Sequence, residues 1–364
     1  MNNAEAIKKI GEQMHQLARQ RDELMGTVDL GSDLALESNV GAIPALYSEG
    51  KFRELQNTLS MAYHLCKTKW HPQKQFEVAL KDHAKMPPGI PIPKFWNPVE
   101  NSFIRFRTPS VISSKSGVGK STSVRNIAVN NLMLKIPTVY VTLEDTMAEA
   151  IIGMFTIYTY LNTGVSYSFQ EVEKWVHETE KGNTKYKAEA RAVYTFASQI
   201  KKYISIIEAE YSSMSSIIID IEREENKFGQ RVECAILDYI QLVEPEPRDT
   251  LKDTRNQMIA KSKMWKNFCK SRDMAGIIIS QLNDDARTAE STQFEKDAGQ
   301  WFIIERDQDK DTEELSNAVT IRVKKGRRTG TGKMVCAIDG KSGAFIPSQS
   351  WKPVRTNLYG ERDD

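Results

Sequence analysis

Val111-Ile112-Ser113-Ser114-Lys115-Ser116-Gly117-Val118-Gly119-Lys120-Ser121-Thr122 decides how the rest of the chain is read. Two apolar residues lead into a loop carrying Gly117 and Gly119. Val124, Ile127, Ala128 and Leu132 then share one helical face. Strand, glycine loop and helix start form the layout that phosphate binding needs. Backbone N–H groups of Ser116, Gly117, Val118, Gly119, Lys120, Ser121 and Thr122 converge on oxyanions, because a helix N-terminus leaves its amides unpaired. Lys120 reaches the outer phosphates, and the Ser121 hydroxyl can ligate magnesium.

One position departs from the pattern G-x-x-x-x-G-K-S/T, since Ser114 stands where the first glycine belongs. Serine starts such a turn without strain only if its φ is negative, so a re-shaped loop is the expectation where φ is positive.

The 364 residues give a prior of about two domains. With 40% hydrophobic and 27% charged residues the composition is that of a globular protein. A formal charge of +2 means that any nucleic acid is held by local basic clusters, not by a general field. Cys66, Cys234, Cys269 and Cys336 form no C-x-x-C pair, and two of them sit in apolar runs, which reads as reduced, buried thiols in a cytoplasmic protein. No apolar run approaches membrane-spanning length, and the chain does not open on a signal-peptide pattern, so no membrane partner is expected.

Upstream of the loop, Ile7, Ile10, Met14, Leu17 and Leu24 recur at heptad-like steps; an ordinary amphipathic helix and a partner-binding helix fit equally well. Helical patterning resumes from Leu46 to about Met86. His64, Cys66, His71 and His83 match no zinc spacing and read as helix-face residues. The stiff run Pro87-Pro88-Gly89-Ile90-Pro91-Ile92-Pro93 then marks a boundary. The expected organisation is a helical region at 1–86, a Pro-rich linker at 87–100, a domain carrying the phosphate loop at 101–347 and a tail at 348–364.

Downstream, Thr138 to Leu143 is a β-branched run ending in Glu144-Asp145. A buried parallel strand there delivers Glu144 to the C-terminal sheet edge, where a carboxylate can polarise the attacking water. Val232 to Tyr239 is a second such run, and Asp238 at its end is placed to hold a magnesium ion. Gly276 to Gln281 ends in an amide. Further strands are expected around Ile303-Ile304 and from Val319 to Val323. Arg322 to Lys333, RVKKGRRTGTGK, has six basic residues and no acid on a tight glycine turn: a solvated hairpin tip, a phosphate-backbone patch, or more.

Taken in order, these motifs resemble the ATPase domain of DnaB-type replicative helicases and related ring helicases of tailed phages, from about Gly89 to Phe345. Leu237-Asp238-Tyr239-Ile240-Gln241-Leu242 looks like the family's magnesium strand, and Ile279-Ser280-Gln281-Leu282-Asn283 like its sensor. Phe294-Glu295-Lys296-Asp297-Ala298 is similar to its acidic segment, and Lys324-Lys325-Gly326-Arg327-Arg328-Thr329-Gly330 to its arginine-finger hairpin. The resemblance implies a RecA-like α/β fold that uses ATP and Mg2+. It also implies Glu144 as catalytic base, Asp238 and Ser121 on the metal, and Gln281 as γ-phosphate sensor. Arg327, with Lys325 beside it, would act in the neighbouring subunit's site. Arg248, Lys252 and Arg287, in the loops after the magnesium and sensor strands, become candidates for gripping single-stranded DNA.

The expected protein is a replicative DNA helicase: a homo-oligomeric ring, a hexamer on the family's pattern, moving 5′→3′ on one strand. Primase, polymerase or loader partners are open, because the first ~90 residues do not match the usual N-terminal domain. A phage or mobile-element origin, and so the bacterial host's cytoplasm, fits the short chain. The rivals are a RecA-like strand-exchange ATPase, which builds filaments, and a nucleotide-binding scaffold or loader partner with weak turnover.

Overall fold

The computed structural model describes residues 84, 88–96, 103–246, 253–282, 296–308, 315–326 and 330–347. The chain divides into two units, Met1–Met86 and Pro87–Asp364, and the second contains the whole of the large sheet. The expectations for residues 1–83, for Arg248, Lys252, Arg287 and Arg327, and for the tail lie outside the described residues.

Runs of apolar residues that are buried on both faces form the centre of a nine-stranded sheet. Two short strands precede them, β1 (Gly89–Pro91) and β2 (Phe103–Arg105). β3 (Pro109–Ser114) is buried at all six positions, as are the five residues of β4 (Thr138–Thr142) and of β6 (Cys234–Asp238). With β5 (Ile204–Glu208), β7 (Ala275–Gln281) and β8 (Gln300–Gln308) they make a parallel block in the order β8-β3-β7-β6-β4-β5. Continuous hydrophobic runs are what a parallel sheet covered on both sides requires. The phosphate loop of β3 is thus separated from the acid of β6 by one strand, β7.

Helices cover both faces. α1 (Lys120–Met133) buries Val124, Ile127 and Ala128 and packs beside α2 (Met147–Thr163). α3 (Phe169–Glu180) and α4 (Lys187–Ile200) extend from it. On the other face, Met214, Ile217 and Ile221 of α5 (Met214–Phe228) join Met258, Trp265 and Phe268 of α6 (Thr254–Ser271) against Val139, Val141, Leu237 and Ile278. α6 lies so close to the sheet that a Cβ on Gly276 would stand 2.1 Å from Cys269 Sγ. Burial pushes the thiols of Cys234 and Cys336 up to about 12, so both stay protonated.

Beyond β8 the sheet turns antiparallel through β9 (Leu315–Gly326), β10 (Gly332–Ile338) and β11 (Phe345–Pro347). β8 and β9 are longer than the apolar patches at Ile303-Ile304 and Val319–Val323 indicate. Part of the stretch expected as a linker is built into this unit. β1 pairs antiparallel with β2, and a 3-10 turn at Lys94–Trp96 follows β1. The fully buried Trp96 meets the rings of Phe302 and Phe345, each 6.2 Å away. Proline supplies the stiffness read from the sequence, but Ile90, Ile92, Phe95 and Trp96 supply apolar area that the sheet covers.

Candidate functional site

The phosphate loop has the conformation its glycines permit. Gly117 (φ 75°) and Gly119 (φ 106°) both take left-handed backbone angles, and Gly119 caps α1. Ser114 is the last residue of β3 and is not among the described residues with positive φ, so a serine fits there without re-shaping the turn. Its hydroxyl donates to Lys115 O at 2.9 Å, and its carbonyl accepts from Leu282 N at 3.0 Å. Lys120 Nζ reaches back to Lys115 O at 3.5 Å. Partial burial lowers the Lys120 ammonium below its usual value, while the negative charges of Glu144 and Asp238 pull it back up. The parallel strands β3, β7, β6 and β4 end side by side, which brings all three to one sheet edge.

The acids are held from behind. Asp238 is 1% exposed, and its Oδ2 accepts from the Tyr140 hydroxyl at 2.8 Å. Burial raises its carboxyl to about 6; hydrogen bonds from Tyr140 and Ser121 oppose that shift. Its Oδ1 is buried with no hydrogen-bond partner. That orphaned oxygen, on the carboxylate that the Ser121 hydroxyl approaches, is what a divalent cation requires. No cluster of three His, Cys, Asp or Glu exists among the described residues. Asp238, Ser121 and a substrate's phosphates therefore form the donor set available, and an oxygen-only set of this kind suits magnesium.

Glu144 stands two residues beyond β4 and is exposed. Thr142 Oγ1 bridges the turn that presents it, donating to Asp145 O at 2.8 Å and accepting from Asp145 N at 2.9 Å, and Leu143 N binds Asp238 O at 2.8 Å. Asp145 forms an ion pair with the largely buried Arg125 of α1. Gln281 ends β7 directly opposite Ser114 in the β3–β7 register, so it lies at the same edge.

Lys325 does not join this group. It faces Trp301 in the β9–β8 register, and Gly326 faces Gln300, which is level with Ser110 at the start of β3. Its Nζ donates to Lys296 O at 3.2 Å. The base of the hairpin, closed by Gly330 N donating to Gly326 O at 3.2 Å, is therefore at the sheet edge opposite the phosphate loop. Four residues of strand separate the two levels, about 13 Å along and two strands, about 10 Å, across.

Several residues of the site escape sequence reasoning. A cavity of about 350 Å³ adjoins Gly117, Gly119 and Thr122 and runs on to Gln170, Arg306 and the turn Asp339–Gly343. Asn126 of α1 ties that turn down, with Nδ2 donating to Gly343 O at 2.9 Å and Oδ1 accepting from Phe345 N at 2.9 Å. Tyr140, Arg125 and Asn126 carry no motif; a polar side chain on an otherwise apolar face is their one available signal.

The family model for the DnaB-like helicase C-terminal domain matches residues 107–346, well over half of the chain. This chain belongs to the DnaB-like helicases. As a member of that family it is an ATP-driven replicative DNA helicase that binds nucleotide through this domain. The fold of this DnaB-like helicase is shared with solved structures. It matches a separately solved ATPase domain at 19% identity and a TM-score of 0.61, over 76% of this chain and all of that one. It matches a DnaB-like replicative helicase, whose structure was described with its interactions with primase, at 19% identity and a TM-score of 0.65, over 87% of this chain and 76% of the other. Among curated proteins none matches significantly. Among the described residues no helix is long and apolar enough to cross a membrane.

Proposed function

We propose that this helicase works as a homo-oligomeric ring, a hexamer, hydrolysing ATP in the seam between adjacent copies and moving 5′→3′ along one strand of DNA while excluding the other. The observation that carries this reading is the separation of the basic hairpin from the phosphate loop by the length of β3. On this reading a finger on that hairpin serves a neighbour's nucleotide rather than its own subunit's. The reading gives each side chain a task. Amides of Ser116 to Thr122 and the Lys120 ammonium hold the phosphates, and Glu144 takes the proton of the attacking water. Gln281 contacts the γ-phosphate from the facing strand end. Asp238 and Ser121 would hold Mg2+, which when bound offsets phosphate charge. Arg327, with Lys325, completes the neighbour's site, a contribution that can be worth about 10³–10⁵ in rate. Arg248, Lys252 and Arg287 grip the strand's phosphates, so binding weakens with salt.

The same reading takes residues 1–86 as a separate helical region and the tail as an appendage. It leaves a primase, polymerase or loader as partner by analogy with the primase-binding relative, and the host cytoplasm as its place of work. Unwinding of a forked duplex with ATP tests it. Lys120→Ala and Arg327→Ala should both fail to unwind, and the Arg327 variant should still bind nucleotide. Normal unwinding by Arg327→Ala removes the finger from the mechanism.

A further inference from the structure

Beside the acids of the site lies a rim whose apolar residues none of these roles uses. β6, β4 and β5 are adjacent and parallel, so the segments that follow them emerge side by side at the C-terminal sheet edge. Each segment exposes one large apolar residue there: Leu242 after β6 (39% exposed), Met147 after β4 (41%) and Tyr211 after β5 (79%). The segments are bound together. Met147 N donates to the Glu208 carboxylate, Glu244 N donates to Ser212 O at 2.9 Å, and Ser215 N donates to Glu246 Oε1 at 2.9 Å. Tyr211 holds φ 57°, a left-handed angle that a side chain of its size rarely adopts. A rigid mount thus presents an aromatic ring to solvent.

We propose that this rim is the seat for the next copy of the chain, with Tyr211 as its anchor. The inference rests on the seam reading above and adds the surface that sets how deeply the hairpin docks. Charge selects the occupant. The apolar residues are interleaved with exposed Glu144, Glu210 and Glu244, carboxylates that attract a cationic partner surface. Exposed Lys324 and Lys333 flank the hairpin at the opposite sheet edge, with Arg327 and Arg328 between them in the sequence. The rim is acidic with apolar anchors and the hairpin is basic, which is the complementarity a head-to-tail contact needs if it is to close into a ring. A buried tyrosine with cationic neighbours is a frequent energetic centre of such contacts.

Sedimentation velocity of the full chain, with Mg2+ and a non-hydrolysable ATP analogue, tests the rim across protein concentration. Tyr211→Gly should raise the concentration needed for half-assembly at least about tenfold, and Glu210→Lys should do so too. Tyr211→Phe should assemble like the parent. Glycine accepts the positive φ, so Tyr211→Gly should melt no lower than the parent, which separates lost assembly from lost folding. Unchanged assembly of both Tyr211→Gly and Glu210→Lys overturns the proposal. So does intact assembly with loss of binding to a fluorescent oligothymidylate, which would hand the rim to nucleic acid. Subunit mixing with Arg327→Ala reads the seam separately: complementation there alongside normal assembly of the rim variants sinks this inference alone, whereas no complementation sinks the seam reading itself.

Discussion

The Tyr140 hydroxyl and Asp238 Oδ2 are 2.8 Å apart, both on side chains with almost no solvent exposure, on adjacent strands of the parallel sheet. The bond counters the burial that drives the Asp238 carboxyl upward, so tyrosine at this position favours the ionised acid. Tyr140→Phe removes the donor and leaves a buried oxygen short of a partner. The expected cost is about 1–3 kcal/mol of stability. The Mg2+ concentration for half-maximal ATPase should rise several-fold, and the acid limb of the rate profile should move to higher pH. A variant with parental metal dependence would show that Asp238 is not held in this way.

The same carboxyl makes the pH dependence of folding unusual in sign. Asp238 titrates at about 6 in the folded chain against an ordinary 3.8. Between those values the folded state binds more protons than the unfolded one. Metal-free stability should therefore fall as pH rises from about 4 to about 6 and level off above, by an amount on the order of 1–3 kcal/mol. Magnesium needs the carboxylate, so its stabilising effect should run the other way: present well above the Asp238 midpoint and lost below it. Thermal melts with chelator and with Mg2+ across this range check both limbs. Equal Mg2+ shifts on the two sides of that midpoint would exclude Asp238 as the ligand.

Gly153 bears on the turn that presents Glu144 through Arg125, and it lines the cavity beside the phosphate loop. A Cβ there would stand 2.8 Å from Arg125 Nη1 and 2.9 Å from Arg125 Cδ. Arg125 has no free room to retreat, since it is largely buried and its ion pair with Asp145 braces the turn that presents Glu144. Gly153→Ala should cost about 1–2 kcal/mol by overpacking and lower kcat more than it raises KM. Comparison of melting temperature and steady-state kinetics with those of the parent gives the outcome. An unchanged kcat would mean that Glu144 keeps its position without the Arg125 brace.

The strand-end positions of the phosphate loop, Glu144, Asp238 and Gln281 are legible in the sequence, because each follows or closes an apolar run that a parallel sheet must bury. What stays hidden is polar yet buried. Gln300 is 1% exposed, and its side chain bonds Arg105 N, Ser110 Oγ and Phe103 O, so β8 opens on a buried amide one residue ahead of the apolar run Trp301-Phe302-Ile303-Ile304. α3 lies in a stretch that reads as helical but polar, with a weak signal; it buries fully only Val172, and its Ser168–Glu171 capping box is the sharper local sign of where it starts. The turn at 339–343 holds α1 and α2 through the backbone carbonyls of Gly343 and Ser342, and carbonyls leave no trace in residue type. Trp96 reads as linker beside so many prolines, although its ring closes the core under β11.

The separation of hairpin and phosphate loop carries a quantitative consequence for mixed assemblies. If each site is completed by the next copy, an Arg327→Ala subunit disables its neighbour's hydrolysis and keeps its own site intact. A Lys120→Ala subunit disables its own site and can still lend Arg327. Neither variant should hydrolyse ATP appreciably alone, but mixed in equal amounts they should recover activity, because some seams then pair an intact Lys120 with an intact Arg327. Random mixing makes that seam one in four, so recovery to roughly a quarter of the parental rate per subunit is the ceiling for independent sites, given a finger effect of about 10³ or more. Recovery well below that value would mean that sites fire in concert around the ring. A mixture as inactive as its components, with mixed rings demonstrated by mass, would place Arg327 outside the seam.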